Sequence, residues 1–271
     1  MRERGYVEGQ NLLMEVRRGP LEPTQMRANA RDLVGLSPDV IVVATPPLAL
    51  VALEMTRTIP IVFGTSTDLV EQGLVESLAR PGGNTTGLSG LSTPLSSKRM
   101  ELLAQTVPPM THVGLLYRPA TGETMQRDET AAAARQLRIE PLILDAPSSQ
   151  DLEGLLERAV HQGAGALVAL PGTLGYAAQI AQLSLRHRLP TIGIQREYVV
   201  AGILMSYGQN RLAGFRRAAY YVDRILKGTK PADLPVEQPM TFDFVVNMTT
   251  ARELGIMFPQ EILLQVTEVV E

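Results

Sequence analysis

The sequence contains no cysteine, no tryptophan and only 4% aromatic residues. The absence of cysteine excludes disulfide bridges, thiolate metal sites and a cysteine nucleophile. No stretch has the roughly 18 uninterrupted apolar residues that a membrane-spanning helix needs. The net charge is −3 with both signs interspersed. Because no basic stripe is present to follow a phosphate backbone, the charge pattern argues against nucleic acid as a partner.

Recognisable catalytic signatures are missing as well. His112, His161 and His187 lie far apart in the sequence and show no metal-ligand spacing. His187 is flanked by Arg186 and Arg188 near a predicted helix end, where a basic group offsets the helix dipole. No phosphate-binding P-loop, no dinucleotide fingerprint after a strand and no nucleophile elbow occurs. The sequence therefore predicts neither catalytic residues nor a cofactor or metal site, and the protein is not expected to be an enzyme.

What is present is an alternation of short apolar runs with longer helical stretches. The run DVIVVA at 39–44 is typical of a strand buried on both faces of a parallel sheet. The alternation stops after 85–88 and restarts, which predicts an α/β protein with two Rossmann-like lobes. A length of 271 residues suits two domains. The predicted strands are 39–44, 60–63, 85–88, 112–117, 141–145, 166–170, 190–194 and 242–247, and the predicted helices are 46–57, 69–79, 96–107, 124–137, 151–162, 174–187, 212–226, 249–254 and 259–270.

The first candidate binding position follows the strand at 39–44. Ligands of open parallel sheets bind outside the carboxyl ends of the strands, beside helix N-termini. Thr45 is placed to cap the next helix and Pro46 to occupy its first position. The free N–H groups of such a helix start suit a carboxylate or a phosphate. A well-capped helix that binds nothing explains the same residues equally well.

The second candidate position follows the strand at 60–63 and is rich in small polar side chains. Asp68 and Glu71 resemble a capping box, which accounts for one polar residue. The remaining side chains exceed what capping needs, so we expect them to hold the amine and carboxylate of an amino-acid-like ligand. Asp68 is the expected partner of the ammonium group. The predicted ligand-binding residues here are Thr65, Ser66, Thr67 and Asp68.

The second lobe offers equivalent positions at the ends of its strands. Tyr117 and Tyr198 each provide a flat apolar face with a polar tip, although packing at a sheet margin explains them almost as well. Glu197 either faces the ligand or pairs with Arg196 across a surface turn, which contributes little to stability. The predicted ligand-binding residues here are Tyr117, Gly172, Thr173, Glu197 and Tyr198.

Several long motifs together resemble one protein family. In order along the chain they are GYVEGQN at 5–11, GLVESLARPGGN at 73–84, GILMSYG at 202–208, RILKG at 224–228, PADLPVEQP at 231–239 and Asn247. They resemble the substrate-binding proteins of ABC transporters, of the tryptophan/tyrosine type. The resemblance covers essentially the whole chain.

The resemblance implies the type I periplasmic-binding-protein fold, in which two lobes joined by three crossing segments close on a solute. The crossings are expected near 89–92, 207–210 and 234–238, and Tyr207 at the second crossing joins the predicted ligand-binding residues. Lobe 1 would comprise 1–90 plus 210–235, and lobe 2 would comprise 91–209 plus 236–271. The implied function is capture of a small solute, expected to be an aromatic or branched amino acid, and its delivery to a membrane permease.

The chain departs from the family pattern at its N-terminus. Family members place an export signal, a first strand and most of a first helix before the segment matching 5–11, whereas here Met1 falls within that helix. We therefore expect lobe 1 to lack its opening strand, although 12–16 is available as a strand. An exposed sheet edge in lobe 1 is expected to promote dimerisation. The family resemblance implies a periplasmic or otherwise extracytoplasmic location.

Two other functions fit the same residues less well. One is a sensory or regulatory ligand-binding domain of the same fold, but no helix-turn-helix or membrane segment is attached. The other is an α/β enzyme, which would require a clustered acid/base set.

Overall fold

The computed structural model describes residues 1–19, 22–64, 68–70, 72–90, 92–119 and 124–271. The chain divides into two compact units. Unit 1 consists of Met1–Leu91 and Asn210–Thr241, and unit 2 consists of Ser92–Gln209 and Phe242–Glu271. None of the described helices is long and apolar enough to cross a membrane.

Helices and strands alternate along most of the chain. The helices are α1 Pro23–Gly35, α2 Pro46–Met55, α3 Ser92–Thr106, α4 Thr124–Gln136, α5 Leu152–His161, α6 Ala177–Arg186, α7 Arg196–Val200, α8 Arg211–Leu226, α9 Met248–Leu254 and α10 Gln260–Leu263. The strands are β1 Ile41–Val43, β2 Ile61–Phe63, β3 Thr85–Gly87, β4 His112–Tyr117, β5 Glu140–Asp145, β6 Ala164–Ala169, β7 Thr191–Gly193, β8 Met205–Gln209, β9 Phe242–Asn247 and β10 Glu268–Val270.

Unit 1 is built on a small parallel sheet with the strand order β1-β2-β3. Ile61 and Phe63 of β2 are fully buried on one face, where they pack with residues of α2. Val62 points to the opposite face and packs with Ala218 and Tyr221 of α8. Since successive side chains of a strand alternate between faces, β2 supplies the centre of both apolar layers.

The predicted helix at 69–79 is wrong, because the described residues of that range form turns and bends. Gly73 has φ +66°, a left-handed conformation that interrupts a helix. Its N–H donates to the carbonyl of Val70, and the N–H of Glu76 donates to the carbonyl of Pro81. Leu69 and Leu74 are nevertheless buried, so the apolar spacing that suggested a helix serves a folded loop.

Unit 2 is built on a seven-stranded sheet with the order β10-β9-β8-β7-β6-β4-β5. All neighbouring strands are parallel except β8 and β9, which are antiparallel. One face packs against α3 and α4, and the other against α5 and α6. Val113 and Leu115 of β4 face the first layer, whereas Leu116 faces the second.

The third passage of the chain between the units lies between Thr241 and Phe242, whereas the sequence prediction placed it before residue 236. Leu234 and Val236 are buried in the apolar layers of unit 1, which keeps this segment in unit 1. The 12–16 range, considered for an opening strand, contains no ladder residue beyond an isolated bridge at Leu12. Leu13 is 81% exposed.

Candidate functional site

The carboxyl end of β1 leads directly into α2. Thr45 has the extended conformation of an N-cap residue (φ −148°, ψ 150°), and Pro46 is the first residue of the helix. Within the described ranges, the Thr45 hydroxyl makes no cap hydrogen bond and its buried Oγ1 has no hydrogen-bond partner. The predicted cap position is therefore present, but the Thr45 side chain does not satisfy the helix N–H groups.

The carboxyl end of β2 leads into Gly64, which is packed tightly against α8. A Cβ at Gly64 would lie 2.5 Å from Phe215 Cδ1, so a larger residue has no room here. The residues Thr65, Ser66 and Thr67, predicted to bind the ligand, lie outside the described residues. Asp68 is described: its Oδ1 accepts a hydrogen bond of 2.9 Å from the N–H of Val70. The carboxylate thus already orders its own turn.

Tyr117 ends β4 at the corresponding edge of the unit 2 sheet. The side chain is only 5% exposed. Its hydroxyl accepts a hydrogen bond of 3.0 Å from Arg127 Nη1, and the guanidinium of Arg127 lies 5.0 Å from the ring centroid. Packing at the sheet margin accounts for Tyr117 as placed here.

Thr173 and Tyr198 are brought together by the turns that follow β6 and β7. Both side chains are fully buried. Their hydroxyl oxygens lie 3.0 Å apart, and both hydroxyls donate to the carbonyl of Leu170. This network ties two strand ends together inside unit 2. Gly172, beside Thr173, is half-buried.

Glu197 is the second residue of α7 and has an exposed side chain. Its neighbour Arg196 forms a bidentate ion pair with Glu268 of β10, with N–O distances of 2.7 and 2.6 Å. The pair joins α7 to β10. Its hydrogen bonds hold the pKa of the Glu268 carboxyl below its ordinary value.

Tyr207 lies in β8, close to the second passage between the units. Its ring stacks on Phe242 at a centroid distance of 6.1 Å and meets Phe244 edge-on. The side chain is half-buried, and burial raises the pKa of its hydroxyl. Among the described candidate residues, this small aromatic group is the apolar surface best suited to contact a ligand.

Two discontinuous α/β units with mostly parallel sheets are the architecture that the sequence motifs implied. The family model described as "ABC transporter substrate binding protein" matches residues 1–270. The chain belongs to this family. The members are binding proteins rather than enzymes.

Relatives of known name or structure agree with this assignment. A protein named "Tyrosine-binding protein" from Clostridioides difficile is 24% identical over 256 residues, which are 94% of this chain and 74% of that protein. A conserved domain protein from Vibrio cholerae is 30% identical, with a TM-score of 0.90 over 99% of this chain and 90% of that one. An ABC domain in complex with L-Trp from Streptococcus pneumoniae is 23% identical, with a TM-score of 0.81 over 92% of this chain and 86% of that one. The predicted α/β fold of the type I periplasmic binding proteins is confirmed.

In this substrate-binding protein the sequence prediction overlooked Arg99. The residue lies on α3 and is only 3% exposed. Its Nε donates a hydrogen bond of 2.7 Å to the carbonyl of Tyr207, while its buried Nη1 has no hydrogen-bond partner in the described part of the chain. A signal was available in the sequence, because Arg99 lies four residues after Leu95 and four before Leu103 on the apolar face of α3.

One cluster of metal-ligating groups occurs among the described residues. Potential ligand atoms of Glu153, Glu157 and His187 all lie within 4.8 Å of one another. Glu153 also accepts a hydrogen bond of 2.7 Å from Arg186 Nη1. His187 is the C-cap residue of α6, and its role in offsetting the helix dipole stays a prediction. The cluster joins α5 to α6 and includes none of the predicted ligand-binding residues.

Two surface cavities of unit 2 have volumes of about 430 and 640 Å³. The first is lined by residues of α6 and α9, and the second by the loops before β4 and after α9. Neither lining includes a residue that the sequence predicted to bind ligand.

Proposed function

We propose that this chain is the extracytoplasmic binding subunit of an ABC importer that captures an aromatic amino acid. The family match over residues 1–270 carries the proposal. Two relatives, one named for tyrosine and one containing L-Trp, favour an aromatic solute. The solute is bound unchanged and passed to a membrane permease. Closure of the two lobes about a hinge, which the resemblance implies, remains a prediction.

The described candidate residues divide into two roles under this proposal. Asp68 supplies the negative charge for the solute ammonium group, and the start of α2 after Thr45 offers N–H groups to a carboxylate. Tyr207, stacked on Phe242, offers an aromatic surface to the solute ring. Thr173 and Tyr198 are fully buried and both donate to the carbonyl of Leu170, so their role is to fix the strand ends.

We also propose that two copies of the chain associate through β1. Among the described residues β1 pairs only with β2, and Val42 at its centre is 46% exposed. An open strand edge of this kind is a template for pairing with a second chain.

A thermal-shift screen against the twenty amino acids tests the solute class. L-tyrosine or L-tryptophan at 100 times its dissociation constant is expected to stabilise the protein by about 2.7 kcal/mol. Chromatography of the mixture after incubation should recover the amino acid unchanged. A shift with sugars but with no amino acid would contradict the proposal, and conversion of the amino acid would contradict its non-enzymatic part.

The variant Asp68→Asn tests the assigned ammonium partner, with Asp128→Asn as its control. Asp128 is an exposed acid of unit 2 that pairs with Arg127. Asp68→Asn should weaken L-tyrosine binding at least about 10-fold, because the pair with the solute ammonium loses its negative charge, and Asp128→Asn should leave it unchanged. Equal affinities of the two variants would remove Asp68 from the site.

A further inference from the structure

Arg99 carries a positive charge into the interior of unit 2. It is 3% exposed, and its α3 neighbours Met100, Leu102 and Leu103 are fully buried. Burial lowers the pKa of its guanidinium to about 10, which leaves the group charged at neutral pH. Burying an ion is costly unless an opposite charge lies nearby and its N–H donors are hydrogen-bonded. The groups around Arg99 should therefore include a negative charge and hydrogen-bond acceptors.

The described partners of Arg99 supply only some of these interactions. Nε donates to the carbonyl of Tyr207 at 2.7 Å. The charge of Glu129 on α4 favours the guanidinium form. The two N–H donors of Nη1 are buried and have no acceptor among the residues that the structure describes. Buried donors in native proteins are almost always paired, and an unpaired one calls for an explanation such as a missing ligand.

The position of Arg99 favours a solute as the missing acceptor. Its hydrogen bond places it directly behind Tyr207, whose ring and that of Phe242 are stacked. Tyr207 lies near the carboxyl end of β8, and ligands of open parallel sheets bind beyond such strand ends. The planar guanidinium presents paired donors that match the two oxygens of a carboxylate.

We propose that Arg99 binds the carboxylate of the solute through Nη1, beside the aromatic surface of Tyr207 and Phe242. This inference rests on the proposed function and assigns the carboxylate to unit 2. The start of α2 in unit 1 is the competing holder of the same group, so the test must separate the two.

Isothermal titration calorimetry with two solutes and two variants makes that separation. The solutes are L-tyrosine and L-tyrosinamide, which keeps the ring and the amine but has no negative charge. The wild type should prefer L-tyrosine. Arg99→Met should weaken L-tyrosine about 30-fold or more, since removing one member of a buried charge pair has an effect of that order. The same variant should bind the amide as the wild type does, and so lose the preference.

The matched control is Arg186→Met, which removes an arginine of α6 whose side chain is 53% exposed. It should bind both solutes as the wild type does. If Arg99→Met weakens both solutes by the same factor, Arg99 is structural and the inference is overturned. If Arg99→Met still prefers L-tyrosine, the carboxylate is held elsewhere and the inference is equally overturned.

Three further outcomes are distinguishable from these. If circular dichroism shows that Arg99→Met does not fold, Arg99→Lys takes its place, because it keeps the charge but loses the paired donors; an unchanged preference in it overturns the inference. Wild-type protein that binds the amide as tightly as L-tyrosine also overturns it. Wild-type protein that binds neither L-tyrosine nor L-tryptophan refutes the proposed function itself, and the inference with it.

Discussion

The two units share an α/β architecture but are built on sheets of different size. In unit 1 the described sheet has three strands of three residues each, whereas in unit 2 the sheet has seven strands, and β4, β5, β6 and β9 are six residues long. Both sheets are covered by helices on two faces. The buried area of the smaller sheet therefore comes from fewer side chains. Each of these side chains contributes a larger share of the stability of its unit.

The edges of the two sheets differ in the same way. β5 is one of the two edge strands of the unit 2 sheet and carries Pro141 and the charged Glu140 and Asp145. Proline and charge are the features that protect a sheet edge from pairing with another chain. β1 consists of Ile41, Val42 and Val43 alone. Unit 1 thus combines a small core with an unprotected edge.

The largest effect is expected from truncating the central phenylalanine of each unit. Phe63 in unit 1 is fully buried, and Phe244 in unit 2 is 1% exposed. Each change to alanine should cost about 3–5 kcal/mol of stability. In differential scanning calorimetry, Phe63→Ala should lower the melting temperature of unit 1, and Phe244→Ala should lower the melting temperature of unit 2. A single transition that both variants lower equally would show that the units do not unfold independently.

The sequence predicted the fold well where strands are short, apolar and followed by helices. Every predicted strand from 39–44 to 242–247 has a counterpart in the structure, because a run buried on both faces of a sheet leaves a continuous apolar signal. The apolar positions of 69–79 had a helix-like spacing, yet the left-handed Gly73 turns that segment into a loop. The helix predicted at 259–270 is wrong at its end, where the short and partly exposed Glu268–Val270 forms β10, and the strand β8 at Met205–Gln209 was not predicted.

The candidate site was less predictable, because hydrogen-bond partners come from distant parts of the sequence. Tyr198 was selected as a strand-end residue, but its hydroxyl meets Thr173, 25 positions away. Arg99 meets the carbonyl of Tyr207 over 108 positions. A single charged residue on an apolar helix face marks Arg99 in the sequence, but only the fold shows that part of its guanidinium is unpaired.

A smaller effect is expected from acid, because the described residues of each unit include a bidentate arginine–carboxylate pair. The hydrogen bonds from Arg217 hold the pKa of Glu237 in unit 1 below its ordinary value of 4.5, and Arg196 does the same for Glu268 in unit 2. A carboxyl with a lowered folded-state pKa stabilises the fold above its ordinary pKa, and that contribution is lost as the pH falls through the folded-state value. Both carboxylates are more than a third exposed, so solvent screening limits each pair to less than about 1 kcal/mol.

Calorimetry from pH 6 to pH 3 separates the two pairs. Glu237→Gln should flatten the acid dependence of unit 1 melting and leave that of unit 2 unchanged, and Glu268→Gln should do the reverse. Acid dependence that survives in both variants would assign it to other carboxyls.

The smallest effect on stability is expected when one lysine is introduced into β1 or into β5. These two substitutions are also the sharpest test of the difference between the two sheet edges. Val42 of β1 is 46% exposed and Ile143 of β5 is 40% exposed, so lysine at either position should change stability by no more than about 0.5 kcal/mol. If β1 is the dimer edge, sedimentation velocity should show that Val42→Lys shifts the wild-type dimer to monomer, since a charged side chain on an edge strand opposes pairing. Ile143→Lys is the matched control and should sediment like the wild type, because β5 is already protected by Pro141 and its acids. A monomeric wild type, or a dimer that only Ile143→Lys disrupts, would show that an open strand edge in unit 1 is not enough to bring two copies together.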